Sequence, residues 1–475
     1  MTQLVINAEE TSIFAELSSD FNPIHLNEEY CRETIGGRPI IHGVHAFLAA
    51  LEVISAKSYL KNLWFQVEFH KSLENDRNYI VSLSVDSNYI EILDDEQNLC
   101  LSACPTSESF LRLDTEKLNN VPLGVGQVWP AEITPESVLT NMPVPLPPSG
   151  NESLAEKIFP NLSRQFGSKL VSEVAWLSSL VGMSIPGLNS LLLSVTICNP
   201  ADSQSAASSF VSFFDERFKL VKLGYNGVCV DSTLRAVFRP TAMRNPTFNE
   251  IRASSVGLSP MMGNRVLVIG GSRGIGQATA LLCLSLGASV VATFCSGGKQ
   301  LEQLRSALPV DVRGDLNIRH FDVTDESEWE VLDEEFDYVF YFATPKIFRN
   351  YSGSSAIERS QNFDYFYCEQ FEKIVRRLWK TRLSVLLFPS SISINSQIDE
   401  LKDYSKSKLA AELLSLKLKK EFGGFILHPR INRTLTNQTT SIFPTYSDSA
   451  VSVAKNLVLL IQSMKIISDV NMFPD

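Results

Sequence analysis

The chain of 475 residues holds only eight cysteines, scattered with no Cys-x-x-Cys pair. That is the usage expected of reduced thiols in the cytoplasm, not of a disulfide framework, and no metal site is expected. Basic charge is also scarce. Lys and Arg number 42 against 53 Asp and Glu, for a net charge of −11. A nucleic-acid partner, which needs a basic footprint, is therefore excluded. No long apolar run occurs; the nearest approach, residues 180–197, is broken by Pro186-Gly187 and several serines. A membrane span needs roughly 18 or more uninterrupted apolar residues, so none is expected. The opening Met1-Thr2-Gln3-Leu4 carries no basic region before an apolar core, so no secretory signal is expected and the location is read as cytoplasmic. What is present is 44% hydrophobic and 20% charged residues, enough apolar material for several cores.

At roughly 150 residues per domain, the length suggests about three domains. In residues 1–118, helical periodicity at 11–17 and 44–59 precedes alternating runs at 63–71, 78–85, 89–94 and 99–104. Period-two alternation between turn residues predicts antiparallel strands beside a long helix. Residues 119–245 repeat the order loosely. A proline-rich linker or extended loop, Pro143-Val144-Pro145-Leu146-Pro147-Pro148, comes before a helix near 170–183, with strands at 190–198, 208–215, 218–225 and 227–238. A loop-rich connection, 239–264, leads to residues 264–475, where apolar strands alternate with amphipathic helices. That alternation predicts βαβ units and a parallel sheet.

Two segments carry chemistry. In Asp20-Phe21-Asn22-Pro23-Ile24-His25, the Asn-Pro turn can bring a carboxylate and an imidazole toward one point. Such a pair can activate water and return its proton. Downstream, Arg38-Pro39-Ile40-Ile41-His42-Gly43 leads into the predicted helix, whose first amide, at Gly43, can hold an enolate-like oxygen. Together these stretches resemble the MaoC-like (R)-specific enoyl-CoA hydratases of the hot-dog fold. The resemblance implies Asp20 and His25 as the catalytic pair, Asn22 orienting them, Gly43 in the oxyanion site, and His42 and His45 as structural. The second block holds no histidine between His70 and His320 and is expected to be a catalytically silent second hot dog, making an α+β double hot-dog domain.

The second segment is Gly270-Gly271-Ser272-Arg273-Gly274-Ile275-Gly276, which follows a buried-strand run and precedes a helix. Glycines at a strand-to-helix turn let the backbone approach a diphosphate, and the helix N-terminus favours its charge. Asp322-Val323 stand at a spacing suited to the adenine side. Farther on, Tyr404 and Lys408 lie four apart on one predicted helix face, with Ser391 thirteen residues before Tyr404. An ammonium beside the phenol is expected to lower its pKa toward neutrality. This set resembles the short-chain dehydrogenase/reductase family, a Rossmann-type doubly wound α/β fold. The resemblance implies that Ser391 holds a substrate carbonyl, Tyr404 donates the proton, Lys408 binds the nicotinamide ribose and Asn362 completes the set. Gly270, Ser272, Arg273, Gly274, Ile275, Gly276, Asp322 and Val323 would bind cofactor, with Tyr404 and Lys408. After the second strand, Thr293-Phe294-Cys295-Ser296 offers no carboxylate for a ribose hydroxyl, while Arg273 can meet a 2′-phosphate, so NADP(H) is expected. Three residues depart from the family pattern: Ile269, Phe342 and Arg430.

The expected function is a bifunctional enzyme of acyl-thioester metabolism, an NADPH-dependent 3-oxoacyl reductase joined to an (R)-3-hydroxyacyl dehydratase. Its substrate would be carried on coenzyme A or acyl carrier protein, and both families imply a homo-oligomer. The alternatives are a hydratase with a non-catalytic NADPH-binding domain, or a reductase acting on a sugar or polyketide intermediate.

Overall fold

The computed structural model describes all residues except 1, 35, 85–88, 107–127, 201–205, 242, 346, 348–361, 382, 397, 399–400, 438, 440–445 and 472–475. The chain divides into two compact units, residues 1–241 with 441–444, and residues 242–440 with 445–475. The sequence blocks 1–118 and 119–245 thus share one unit, and their boundary lies outside the described residues. The second unit starts at 242, earlier than the 264 expected from the sequence.

The first unit is built on a nine-stranded sheet with the order β1-β3-β4-β5-β2-β6-β9-β8-β7. Its strands are β1 (Thr2–Leu4), β2 (Phe65–Phe69), β3 (Tyr79–Ser84), β4 (Tyr89–Leu93), β5 (Leu99–Pro105), β6 (Ser190–Cys198), β7 (Ser208–Asp215), β8 (Leu220–Asn226) and β9 (Asp231–Phe238). Every pairing is antiparallel, and β2 joins β6 at Gln66↔Thr196, Val67↔Val195 and Glu68↔Ser194. Helix α1 (Ala8–Ser18) opens with a capping box in which Asn7 and Glu10 hold each other's backbone amides, satisfying two orphan donors. Helix α2 (Gly43–Ser55) is buried on nearly all sides, with Val44, Phe47, Leu48 and Leu51 inaccessible to solvent. A helix apolar all round belongs inside a core, and each such Leu or Phe contributes about 1.5–3 kcal/mol by burial. Helix α3 (Ser168–Ser179) is buried along most of its length and runs straight into one π-helical turn, Leu180–Ser184. The expected helix at 170–183 therefore changes its winding after Ser179. Residues 143–148 are extended, as their prolines dictate, but are not a free linker. Val144 N–H donates to Ser209 O, Ser184 donates to Pro145 O and the Trp176 indole donates to Pro148 O.

The second unit carries a six-stranded parallel sheet of Rossmann type. Its strands are β10 (Arg265–Ile269), β11 (Ser289–Phe294), β12 (Leu316–His320), β13 (Phe336–Tyr341), β14 (Leu383–Leu387) and β15 (Phe425–Leu427), in the order β12-β11-β10-β13-β14-β15. Successive residues of β10 serve opposite faces. Val266 and Val268 pack with helices α5 (Gly274–Ser285) and α9 (Ala450–Asn471), while Leu267 and Ile269 pack with α7 (Gln370–Leu378) and α8 (Lys402–Phe422). Burial on both faces explains why these strands read as unbroken apolar runs. The segment expected to be a loop between the blocks contains helix α4 (Phe248–Ser254), started by a Thr247–Glu250 capping box and seated by Phe248 and Ile251 on the core around α5. A further helix, α6 (Gly298–Ala307), links β11 toward β12. Strand order reverses between β10 and β13, and a crevice opens at that point beyond the carboxyl ends of the strands.

Candidate functional sites

In the first unit, Ser19 at the end of α1 takes a left-handed conformation, turning the chain so that Asp20 points inward. Asn22 caps the next short helix by accepting from Ile24 N–H. Its own amide donates to Gly182 O at 2.8 Å and Gly187 O at 3.0 Å. His25 Nδ1 bonds Ile40 O at 2.7 Å, so that nitrogen carries the proton and Nε2 holds the bare lone pair. His42 caps α2 and bonds the Asp20 carbonyl through Nε2 at 2.9 Å. One donor atom from each of Asp20, His25 and His42 lies within 4.8 Å of the others. The two imidazoles are stacked with ring centres 3.7 Å apart and planes 25° apart. Gly43 heads α2 directly after His42.

Burial dominates the electrostatics. It pushes the Asp20 carboxyl up, against the pull of His25 and of the Ser178 hydroxyl, which donates to Oδ2 at 2.6 Å. Burial and then His42 push His25 down to about 3, and burial pushes His42 to about 4. His45, stacked on Phe14 at 4.5 Å, is lowered for the same reason. Both members of the pair are thus biased toward their uncharged forms, and His25 is a neutral base near pH 7. Two contributors carry no motif. Ser178 reaches Asp20 from α3, and Gly182 lies so close that a Cβ there would stand 2.2 Å from Asp20 Oδ1.

In the second unit, a cavity of about 1080 Å³ occupies the crevice. Gly270, Ser272, Arg273, Gly274, Ile275, Gly276, Asp322, Val323, Ser391, Tyr404 and Lys408 all line it. Gly270 takes φ +82°, and a Cβ on Gly276 would meet Gly270 O at 2.1 Å, so the loop needs glycine where strand and helix close. Asn362 does not line the cavity. Its neighbour Phe363 packs edge-on against Tyr404 with ring centres 5.8 Å apart.

The three departures from the family pattern are accommodated. Ile269 is buried in the core, and the Thr293 hydroxyl on the adjacent strand accepts from Gly270 N–H at 3.3 Å. Phe342 lines the cavity, its N–H held by Ile269 O at 2.8 Å. Arg430 makes a two-pronged pair with Glu412 at 2.8 and 2.7 Å and also donates to Asn395.

The expected effect of Lys408 on Tyr404 is not found. Lys408 Nζ stands 5.8 Å from the Tyr404 ring, 4.0 Å from the Tyr367 ring and 4.2 Å from the Phe388 ring, and donates to Pro389 O at 2.9 Å. Burial lowers Lys408 to about 7, weakening its charge, and raises Tyr404 to about 12 despite its bond to Ser391. Desolvation outweighs the charge effect that the four-residue spacing suggests.

Residues 264–337 match the family model for the short chain dehydrogenase. No curated protein matches the chain. Among solved structures it is similar to BdcA in complex with NADPH, at 19% identity and TM-score 0.37, covering 42% of this chain and 87% of that one. It is also similar to a short-chain dehydrogenase/reductase from Serratia marcescens BCRC 10948, at 15% identity and TM-score 0.38, covering 42% of this chain and 91% of that one. A short chain dehydrogenase from Salmonella enterica serovar Typhi CT18 is similar at 18% identity and TM-score 0.36, with 42% and 89% covered. Among the described residues, no helix is long and apolar enough to cross a membrane.

Proposed function

We propose that the chain is a bifunctional acyl-thioester enzyme, its second unit an NADP(H)-dependent 3-oxoacyl reductase and its first a MaoC-like, double hot-dog (R)-3-hydroxyacyl dehydratase. The observation carrying the reductase reading is that the glycine loop, Ser391, Tyr404 and Lys408 open onto one cavity. The cavity fits a dinucleotide: the glycine loop and the first residues of α5 line it, and a helix N-terminus favours a diphosphate's charge. Arg273 would hold a 2′-phosphate, Asp322 and Val323 the adenine side, and Lys408 the nicotinamide ribose. Bound NADPH would supply a hydride from its nicotinamide C4. Ser391 Oγ hydrogen-bonds the substrate carbonyl oxygen, and Tyr404 Oη gives it a proton. Burial holds the Tyr404 phenol protonated at neutral pH, so it enters the step carrying the proton it gives.

The dehydratase reading rests on the buried Asp20–His25 pair. His25 Nε2 takes the proton from C2 of the 3-hydroxyacyl thioester, the Gly43 amide holds the thioester oxygen, and Asp20, biased toward its protonated form by burial, gives its proton to the C3 hydroxyl, which leaves as water as the C2–C3 double bond forms. The two steps belong together chemically, because the product of reduction is the substrate of dehydration. The carrier, coenzyme A or acyl carrier protein, and assembly into a homo-oligomer are part of the proposal.

The test is NADPH oxidation with acetoacetyl-CoA, products identified by mass. NADPH oxidation coupled to reduction of acetoacetyl-CoA to 3-hydroxybutyryl-CoA, with crotonyl-CoA that disappears in Asp20→Asn, is the expected result. A second reading, a non-catalytic dinucleotide-binding unit on a working hydratase, draws on the engagement of Lys408 with Pro389 and two aromatic rings. NADPH binding without oxidation, alongside crotonyl-CoA hydration, would favour it.

A further inference from the structure

The cavity has a wall that belongs to none of the recognised motifs. Met243, Arg244, Asn245 and Pro246, immediately ahead of α4, line it together with the glycine loop. This stretch is tied at three points. Met243 N–H donates to Asn437 Oδ1 at 2.6 Å, on the loop after β15. Asn245 Oδ1 accepts from Gly274 N–H at 3.3 Å. Beyond Pro246, the Thr247–Glu250 capping box anchors α4, whose Phe248 and Ile251 are buried. The strap is therefore fixed to the loop after β15 and to the first amide of α5, the amide next to Arg273.

Arg244 precedes Asn245 and pairs with Glu250, the two side chains being 70% and 48% exposed. An exposed pair of this kind is worth little, so its guanidinium can be exchanged onto a better anion at small cost. A phosphate dianion is such an anion, because guanidinium–phosphate contacts are two-pronged and charge-assisted. Arg244 and Arg273 both line this cavity, as do Cys295 and Ser296 just after β11.

We propose that the strap is part of the cofactor site and that Arg244 is a second arginine for the ribose 2′-phosphate, released from Glu250 when the dinucleotide binds. The proposal rests on the reading of this cavity as a dinucleotide site. It makes Arg244 a determinant of NADPH over NADH, one supplied by the segment ahead of the parallel sheet rather than by the sheet's own loops.

Calorimetric titration of the full chain with NADPH and NADH tests it. Arg244→Ala is expected to weaken NADPH about tenfold, equivalent to 1.4 kcal/mol, and NADH less than twofold. Glu250→Gln keeps the capping box, since glutamine serves there as well, but removes the competing charge. It is expected to tighten NADPH two- to fivefold. Unchanged NADPH affinity in both variants, or equal losses for NADPH and NADH in Arg244→Ala, would overturn the proposal and leave the dinucleotide reading intact. Failure of the unmodified protein to bind NADPH would overturn that reading, and the proposal with it.

Discussion

Gly182→Ala tests whether the site of the first unit depends on the half that lacks histidine. The added Cβ would lie 2.2 Å from Asp20 Oδ1 and 2.5 Å from Oδ2, where nonbonded atoms prefer roughly 3.5–4.0 Å. The carboxylate must retreat by about 1 Å, and its bond from Ser178 at 2.6 Å is broken or bent. A misplacement of about 1 Å costs on the order of 100-fold in rate, and the lost bond about 0.5–1.5 kcal/mol. Overpacking costs about 1–3 kcal/mol of stability, a fall in melting temperature of roughly 3–10 °C for a unit of this size. The assay is hydration of crotonyl-CoA, followed by loss of enoyl absorbance, with circular dichroism to show that the fold persists. The expected result is a loss of about 100-fold in kcat/KM. Ser178→Ala, which removes the donor without intruding, should lose about tenfold, or 1.4 kcal/mol. A folded Gly182→Ala variant within threefold of the parent would refute the coupling and the assignment of Asp20 with it.

Acid should destabilise the first unit early. His42 and His45 are buried, and their folded pKa values lie below the unfolded value of about 6.5. Between those values the unfolded chain binds more protons, so stability is present above pH 6.5 and is lost as pH falls, by about 1.4 kcal/mol per pH unit for each group. Thermal melts at pH 7.5, 6.5 and 5.5 check this, and a flat profile would contradict the burial of the two rings. Tyr404→Phe should leave NADPH affinity within twofold while lowering oxidation with acetoacetyl-CoA by about 10²–10⁴-fold; unchanged turnover would remove Tyr404 from the chemistry. Thr293→Val frees the Gly270 amide and should weaken NADPH about three- to fivefold, from a bond worth roughly 0.5–1.5 kcal/mol, as read by titration. Arg430→Ala strands the Glu412 carboxylate, whose side chain is 8% exposed. A fully buried pair would cost 3–5 kcal/mol, but Arg430 is 38% exposed, so about 1–2 kcal/mol is expected by denaturant melting.

Strand positions were legible because their alternation or apolar continuity reflects burial on one or two faces. The runs at 190–198 and 208–215 coincide with β6 and β7, and the glycine loop falls where β10 turns into α5. Asp20, His25 and the cavity set were legible as local motifs. Ser178 and Gly182 were not, because their role is a contact about 160 residues away in the chain, and a serine or glycine on a helix leaves no periodic signal. Helix α4 was hidden by the prolines around it, although its Thr247–Glu250 capping box was readable. The direction of the Tyr404 shift also lay beyond sequence reasoning. Spacing shows that Lys408 can approach, but only the fold shows that burial weakens the lysine's own charge.

Both units share one physical lesson about where site residues come from. In the first, the histidine-free half supplies the hydroxyl that holds Asp20, the close-packed glycine beside it, and the carbonyls that hold the Asn22 amide. Arg239 at the end of β9 adds positive charge that helps keep His25 neutral. A half without a histidine can therefore bias the protonation of the other half's pair. In the second, Ile269 offers no hydroxyl ahead of the glycine loop, and Thr293 on the neighbouring strand holds the loop amide. Arg430 is likewise drawn to Glu412 on α8. A motif inspected alone overstates such departures, because a buried donor is satisfied by any acceptor the fold brings within reach. What decides whether the site survives is whether the amide, carboxylate or guanidinium has found a partner, and in each of these cases it has.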